Sequence, residues 1–361
     1  MSDEAATAND GQTEAPALSL SASRGFAAWL AGVDGALAFT TYQSGKLFFV
    51  GVKDDGGLSI FERSFPRCMG MGRDSKGALW LATLYQIWRF NDFLDPGERR
   101  NGHDAYFVPT IGRTTGDLDV HDLHCDGDDA PVFAATRFNC LAAISEEGSF
   151  REVWRPPFID RLAAEDRCHL NGFTMRDGAP AFVTAVATTN IADGWREHRR
   201  EGGVVIDVAS GEIAASGLSM PHSPRWRNGA LWLLQSGTGE FGEVDLASGA
   251  FEPIAFLPGF ARGLSFIGDH AVIGVSKPRR DKTFSGLALD ERLEKEGVGA
   301  RCQIAVVNLK TGDVEHALAI DGVVTELFDT LVLQGVRRPS MLGFKSDEIR
   351  FAVRPEPLPP S

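Results

Sequence analysis

Five short segments of one kind recur along this chain, roughly 40 to 53 residues apart, and that spacing limits what it can fold into. They are Cys68-Met-Gly-Met71, Val120-His-Asp-Leu-His124, Asp166-Arg-Cys-His-Leu-Asn-Gly172, Met220-Pro-His-Ser-Pro-Arg225 and Phe260-Ala-Arg-Gly-Leu264. Within about nine to twelve residues each is followed by an apolar, β-prone core: LWLAT, VFAAT, AFVTA, LWLLQS and AVIGVS. A repeat of this length matches one four-stranded blade of a β-propeller. A second repeat supports the first. VIDVASGEIAA, EVDLASGAFEP and VVNLKTGDVEH each run a strand into Asp or Asn, two spacer residues, Ser/Thr-Gly and a new strand, the pattern of a short hairpin.

The expected fold is therefore all-β, a propeller of six blades, with seven as the alternative if 323 to 333 contributes to a blade of its own. Strands at 37 to 42, 46 to 52 and 58 to 65 supply only three members of the first blade. The C-terminal run EIRFAV (348 to 353) has no neighbours of its own. Pairing the two closes the ring and protects edges that would otherwise aggregate. Residues 1 to 20, polar and poor in aromatics, read as a disordered acidic tail ahead of a single domain over 21 to 355. Two charged stretches, 191 to 203 and 277 to 300, are much longer than a hairpin needs and are expected to lie together beside the channel mouth.

Composition excludes several classes of function. A formal charge of -13 leaves no basic face for nucleic acid. No run of 18 apolar residues exists and the first 16 residues resemble no secretory leader, so neither a membrane span nor export is expected. Five cysteines without CxxC spacing form neither a disulfide framework nor a zinc knuckle, and a reducing cytoplasm is the expected location. Gly237-Thr-Gly-Glu-Phe-Gly242 matches a dinucleotide fingerprint but joins two strands, where no helix follows to hold a pyrophosphate.

The innermost strand of each propeller blade borders the central channel, so the recurrent segments converge there. Read as equivalent positions, they bring Met69, His121, His169, His222 and Arg262 to the axis. Three neutral imidazoles, His121, His169 and His222, are the usual way to hold Zn, Fe, Cu or Ni with a coordination position left open. His124 lies three residues from His121 and so faces the other side of a strand; at most one of the two enters the channel unless the strand bulges there, and alignment with His169 favours His121. The bland reading is that these histidines satisfy backbone groups where strands crowd together. Arg167, Asn171, Arg225 and Arg262 are candidate substrate-binding residues, suited to an anionic group. Arginines here can equally pair with Asp122, Asp166 or Glu240. His103, His198, His270 and His316 fall in loops or outer hairpins.

DRCHLNG, MPHSPR with LWLLQSGTGEFGEVD, and LPGFARGLSF with VSKPR resemble, over residues 22 to 355, an uncharacterised bacterial family of conserved hypothetical proteins, a domain of unknown function with propeller-like repeats. The resemblance implies the fold and transfers no catalytic residue. Two functions stand as expectations. One is a metal-dependent enzyme at the channel mouth acting on a small anionic or peptide-derived substrate. The other is a noncatalytic scaffold that binds a ligand or a protein partner through its surface loops.

Overall fold

The computed structural model describes residues 17–125, 130–278 and 285–355. Six antiparallel sheets follow one another around an axis. Within a blade, consecutive strands are joined by turns whose chemistry is written in the sequence. Asp177-Gly178 and Asn228-Gly229 both hold positive φ (54° and 80°, 52° and 83°), the two-residue turn whose twist suits a hairpin. They connect Arg176 to Ala179 and Arg227 to Ala230. In the outer hairpins Asp207, Asp245 and Asn308 accept backbone N–H groups two or three residues ahead, and Gly211, Gly249 and Gly312 take the left-handed conformation.

Blade 1 contains Thr330–Gln334, Gly35–Thr41, Lys46–Val52 and Leu58–Ser64 from the axis outward, and blade 2 contains Met71–Arg73, Leu79–Ala82, Gln86–Asp92 and Ala105–Thr114. Blade 3 runs from Val120–Cys125 to Arg151–Trp154, blade 4 from Leu170–Arg176 to Ile213–Leu218, blade 5 from Pro221–Arg227 to Ala250–Phe256. Blade 6 runs from Phe260–Ile267 to Val314–Asp321. Faces of neighbouring sheets bury the alternate apolar residues of their strands. Leu37, Phe39, Phe48 and Val50 of blade 1, for example, pack against Ile304, Val306 and Leu318 of blade 6. Burying such side chains contributes about 1.5–3 kcal/mol each, so the seams between blades form the core. Among the described residues no helix is long and apolar enough to cross a membrane.

N- and C-terminal strands do close the ring, but not with the expected segment. The innermost strand of blade 1 is Thr330–Gln334, paired antiparallel from Gly35↔Gln334 to Phe39↔Thr330. That removes the seventh blade. EIRFAV forms no strand: Ser346 Oγ accepts the Glu348 N–H and caps a single 3-10 turn over Asp347–Arg350, leaving Phe351 and Val353 75% and 78% exposed. Two further overlaps tie the ends down. Pro339–Met341 adds a parallel strand to blade 2, and Ser19–Ala22 adds an antiparallel one to blade 6, so the folded domain begins before residue 21. The rest of the expected tail, 1 to 16, lies outside the described residues.

Closure also requires one glycine. The Val52 N–H donates to Arg337 O at 2.9 Å, and this approach leaves no room at Gly51, where a Cβ would lie 2.1 Å from that same oxygen. Gly51→Ala is expected to cost about 1–3 kcal/mol by overpacking, read as a lower midpoint in urea with unchanged slope.

Candidate active site at the channel mouth

Hydroxyls at the ends of the second strands clamp blades 1, 3, 5 and 6 to the next blade. Thr40 donates to Met69 O (2.7 Å), Thr136 to Leu170 O (2.7 Å), Ser236 to Ala261 O (2.6 Å) and Ser276 to Leu327 O (3.1 Å). These account for the Ser or Thr that closes the recurrent cores VFAAT, LWLLQS and AVIGVS. The clamps also define which residues are equivalent. The position after each acceptor holds Gly70, Asn171, Arg262 and Phe328 in blades 2, 4, 6 and 1. By strand register, Val120↔Ala135 and Pro221↔Gln235 matching Ala261↔Val275, His121 and His222 hold the equivalent position in blades 3 and 5, where their Nδ1 atoms lie 2.9 Å from Thr136 Oγ1 and 3.0 Å from Ser236 Oγ. Two assignments from the sequence change accordingly. Blade 2 presents Gly70 rather than Met69, and His169 stands two residues upstream of Asn171, which takes the equivalent place.

His121 and His222 are oriented alike. Each Nδ1 also donates to the carbonyl two residues back, Asp119 O at 2.9 Å and Met220 O at 2.8 Å, so each ring presents Nε2 as an acceptor. Burial pushes both imidazoles toward the neutral form. His121 is lowered to about 4, with the Asp119 carboxylate opposing and His169 and Arg262 assisting; His222 falls well below its usual value, with Arg262 the next cause. His169 enters from the loop before its strand, with a φ of 50°. Its Nδ1 is 2.9 and 3.0 Å from the Asp166 carboxylate oxygens, and the indole of Trp195 stacks on it at 4.1 Å while donating to Asp166 Oδ2 at 3.0 Å. Burial raises Asp166, but the neighbouring histidines and these two hydrogen bonds outweigh it and hold the carboxyl below the usual range. The rings of His121 and His169 meet edge to face at 4.9 Å, and Phe328 continues the arc 5.2 Å from His121.

These side chains surround a cavity of about 150 Å³, lined also by Tyr42, Asp119, Met220, Arg196 and Arg262. Arg262, only 5% exposed, lies 4.9 Å over the Phe328 ring and donates from Nε to His222 Nε2 at 3.2 Å. That last bond bears on metal binding. The lone pair that His222 would offer a metal is already used, and a guanidinium cation stands where the metal would be. Among the described residues no group of three or more His, Cys, Asp or Glu side chains is arranged to hold an ion. The trio His121, His169 and His222 thus comes to one end of the axis without forming a donor set that fits a divalent metal.

The other expected binding residues go elsewhere. Arg167 is buried and spans Asp160, Glu165 and Asn190 (2.6, 2.8 and 2.6 Å), bracing the loop that carries His169. Asn171 donates from Nδ2 to Pro221 O at 2.8 Å, a clamp to blade 5. Arg225 lies within the ring, where its guanidinium forks onto Asp122 (2.8 and 3.1 Å) and donates to Leu264 O (2.9 Å). Asp122 and Asp329 work in parallel: each accepts a backbone N–H from the next blade, Phe173 at 3.2 Å and Met71 at 2.8 Å. His124 turns away from His121 toward Asp122 and the ring of Phe173. Cys68 is a buried thiol pushed up to about 12 by desolvation and is inert at neutral pH.

The two long insertions do meet beside the mouth. Arg200, from the first, donates to Gly286 O at 2.6 Å and pairs with Glu291 at 2.7 Å, while Trp195 packs in one cluster with Leu287, Leu289 and Leu293. Residues 279–284 of the second lie outside the described residues. Asp119, Asp166, Trp195 and Phe328 were not singled out from the sequence as site residues. The only linear signal was Asp166-x-x-His169, a carboxylate within reach of an imidazole.

The sequence matches the family described as "Domain of unknown function (DUF4915)" over residues 24–342. The chain belongs to this family. No curated protein matches it. Among solved structures this DUF4915 protein is similar to a chain of the nidogen/laminin complex, with a TM-score of 0.50 and 10% identity over 83% of this chain and 99% of that one. It is also similar to virginiamycin B lyase from Staphylococcus aureus (TM-score 0.40, 14% identity, 84% and 99% covered). A gluconolactonase from Xanthomonas campestris gives a TM-score of 0.45 at 11% identity, with 80% and 86% covered. Likeness at such identity speaks to the propeller fold alone.

Proposed function

We propose that the channel mouth is the active site of an enzyme that transfers a proton to or from a small carboxylate-bearing substrate. The observation that carries this reading is the Asp166–His169 pair opening on the same cavity as Arg262. With Nδ1 committed to Asp166, His169 exchanges protons at Nε2, and the carboxylate fixes the ring and stabilises the imidazolium that forms. Arg262 supplies fixed positive charge for a substrate oxygen on which negative charge develops. A space of about 150 Å³ admits a group the size of benzene. A noncatalytic scaffold for a protein partner has less support, since so small a recess suits a ligand fragment. A metal-dependent form has less support too, because it requires Arg262 to leave His222.

The test is incubation of the full chain in D2O with a panel of small hydroxy-, keto- and amino-carboxylates, followed by proton NMR for exchanged or converted C–H signals. Turnover of at least one compound is expected, reduced about 10²–10⁴-fold in His169→Asn. Identical behaviour of wild type and variant across the panel would sink the proposal.

A further inference from the structure

The charges around the cavity are of both signs, and this narrows what it can accept. Arg262, with Glu326 Oε1 3.7 Å from its Nη1, faces it from blade 6 and Arg196 from the first insertion, while Asp119 and Asp166 face it from the segments leading into blades 3 and 4. His121 stands between them, its ring acted on by the Asp119 carboxylate and the Arg262 guanidinium in opposite directions. A simple anion would meet the two arginines and be repelled by the two carboxylates, whereas a simple cation would meet the reverse. The carboxylates are not equally engaged. Asp166 already accepts from His169 and Trp195. Asp119 has one oxygen, Oδ1, that is buried from water and receives no hydrogen bond. Its nearest cation is Arg67 Nη2 at 3.8 Å, and that guanidinium donates instead to Asp117. A buried acceptor left without a donor costs about 1–3 kcal/mol, a cost that is removed when the carboxylate, its side chain 21% exposed, turns this oxygen to a ligand N–H in the cavity. Tyr42 and Phe328, stacked at 5.6 Å, add aromatic rings to the same wall, with the guanidiniums of Arg67 and Arg262 already lying over them at 5.6 and 4.9 Å.

We infer that the cavity takes a small zwitterion, an amino acid or the compact amino-acid end of a larger molecule, with its carboxylate on Arg262 and its ammonium on Asp119. This rests on the reading of the cavity as the substrate site. It replaces a carboxylate of any kind by one that carries a positive group about two or three bonds away.

Titrating the full chain with acetate, methylammonium, glycine and β-alanine, followed through histidine side-chain NMR signals, tests it without knowledge of the reaction. The better of the two amino acids is expected to bind at least about tenfold more tightly than acetate or methylammonium. Asp119→Asn, which keeps the shape of the side chain, is expected to erase that advantage while leaving acetate binding in place. A thermal melt of the variant confirms that it is folded. If acetate binds as well as either amino acid, or if Asp119→Asn leaves the amino-acid affinity unchanged, the zwitterion assignment is overturned and the acid–base reading stands. If no probe moves the signals of His121 or His169, both fall.

Discussion

Arg225→Leu is expected to lower the unfolding free energy by about 3–5 kcal/mol at neutral pH, because it strands the buried Asp122 carboxylate and removes the cation beside Asp329. The Arg225 guanidinium is held in a fork by Asp122, and its Nη2 lies 3.9 Å from Asp329 Oδ1. Side-chain exposure is 14% for the arginine and 4% for each aspartate, so water replaces little of what the substitution removes. Both carboxylates are also seams of the ring, accepting N–H groups from Phe173 and Met71 across blade boundaries. They cannot turn toward solvent without releasing those bonds. Leucine fills part of the volume, which separates the electrostatic effect from a cavity. Urea unfolding of wild type and variant measures it, and a loss under about 1 kcal/mol would mean that the acids relax or take up protons at little cost. Adding Asp122→Asn to Arg225→Leu is expected to recover part of the loss, since the stranded Asp122 charge is then gone.

Much of the architecture was legible because every blade must solve the same problem. Each has to bury two sheet faces and satisfy a strand that runs beside the axis, so apolar cores and clamp hydroxyls recur at blade spacing, as in LWLLQS and AVIGVS. The closing strand was not legible. TLVLQ and EIRFAV are both short apolar alternations near the C-terminus, and the slot beside Gly35–Thr41 is filled by whichever the preceding chain delivers there. Leu327 and Asp329, held by Ser276 and by Thr40 and Met71, bring Thr330 into that register.

The site was legible in part for the same reason. His121 and His222 sit on strands, where equivalence survives in sequence. His169 lies in a left-handed loop residue just before a strand that itself shifts register between Leu170 and Gly172, so linear alignment placed it two positions wrong. Asp119, Trp195 and Phe328 reach the cavity from three different parts of the chain, and only the closed ring brings them together.

The pH dependence of stability is expected to carry opposing contributions from Asp329 within the ring and from the histidines at the mouth. Asp329 is raised to about 7, first by burial and then by the charge of Asp122, with Arg225 and two backbone N–H groups only partly compensating. Between its ordinary value near 3.8 and 7 the folded chain therefore holds a proton there that the unfolded chain has lost. Stability from this group is complete below about pH 4 and falls as pH rises toward 7, by about 4 kcal/mol at most. His121 acts with the opposite sign. Lowered to about 4, it stays neutral while the unfolded chain takes up a proton below about 6.5, so its contribution rises with pH across that window. His222 acts in the same direction. Because these terms partly cancel in the wild type, the informative quantity is its difference from Asp329→Asn. Asparagine keeps an acceptor for the Met71 or Thr330 N–H and cannot ionise. The variant is expected to gain on the wild type by a few kcal/mol between pH 4 and pH 7, measured by urea midpoints at each pH. A difference that stays flat across that range would mean that Asp329 is ionised throughout, and that Arg225 balances both carboxylates at once.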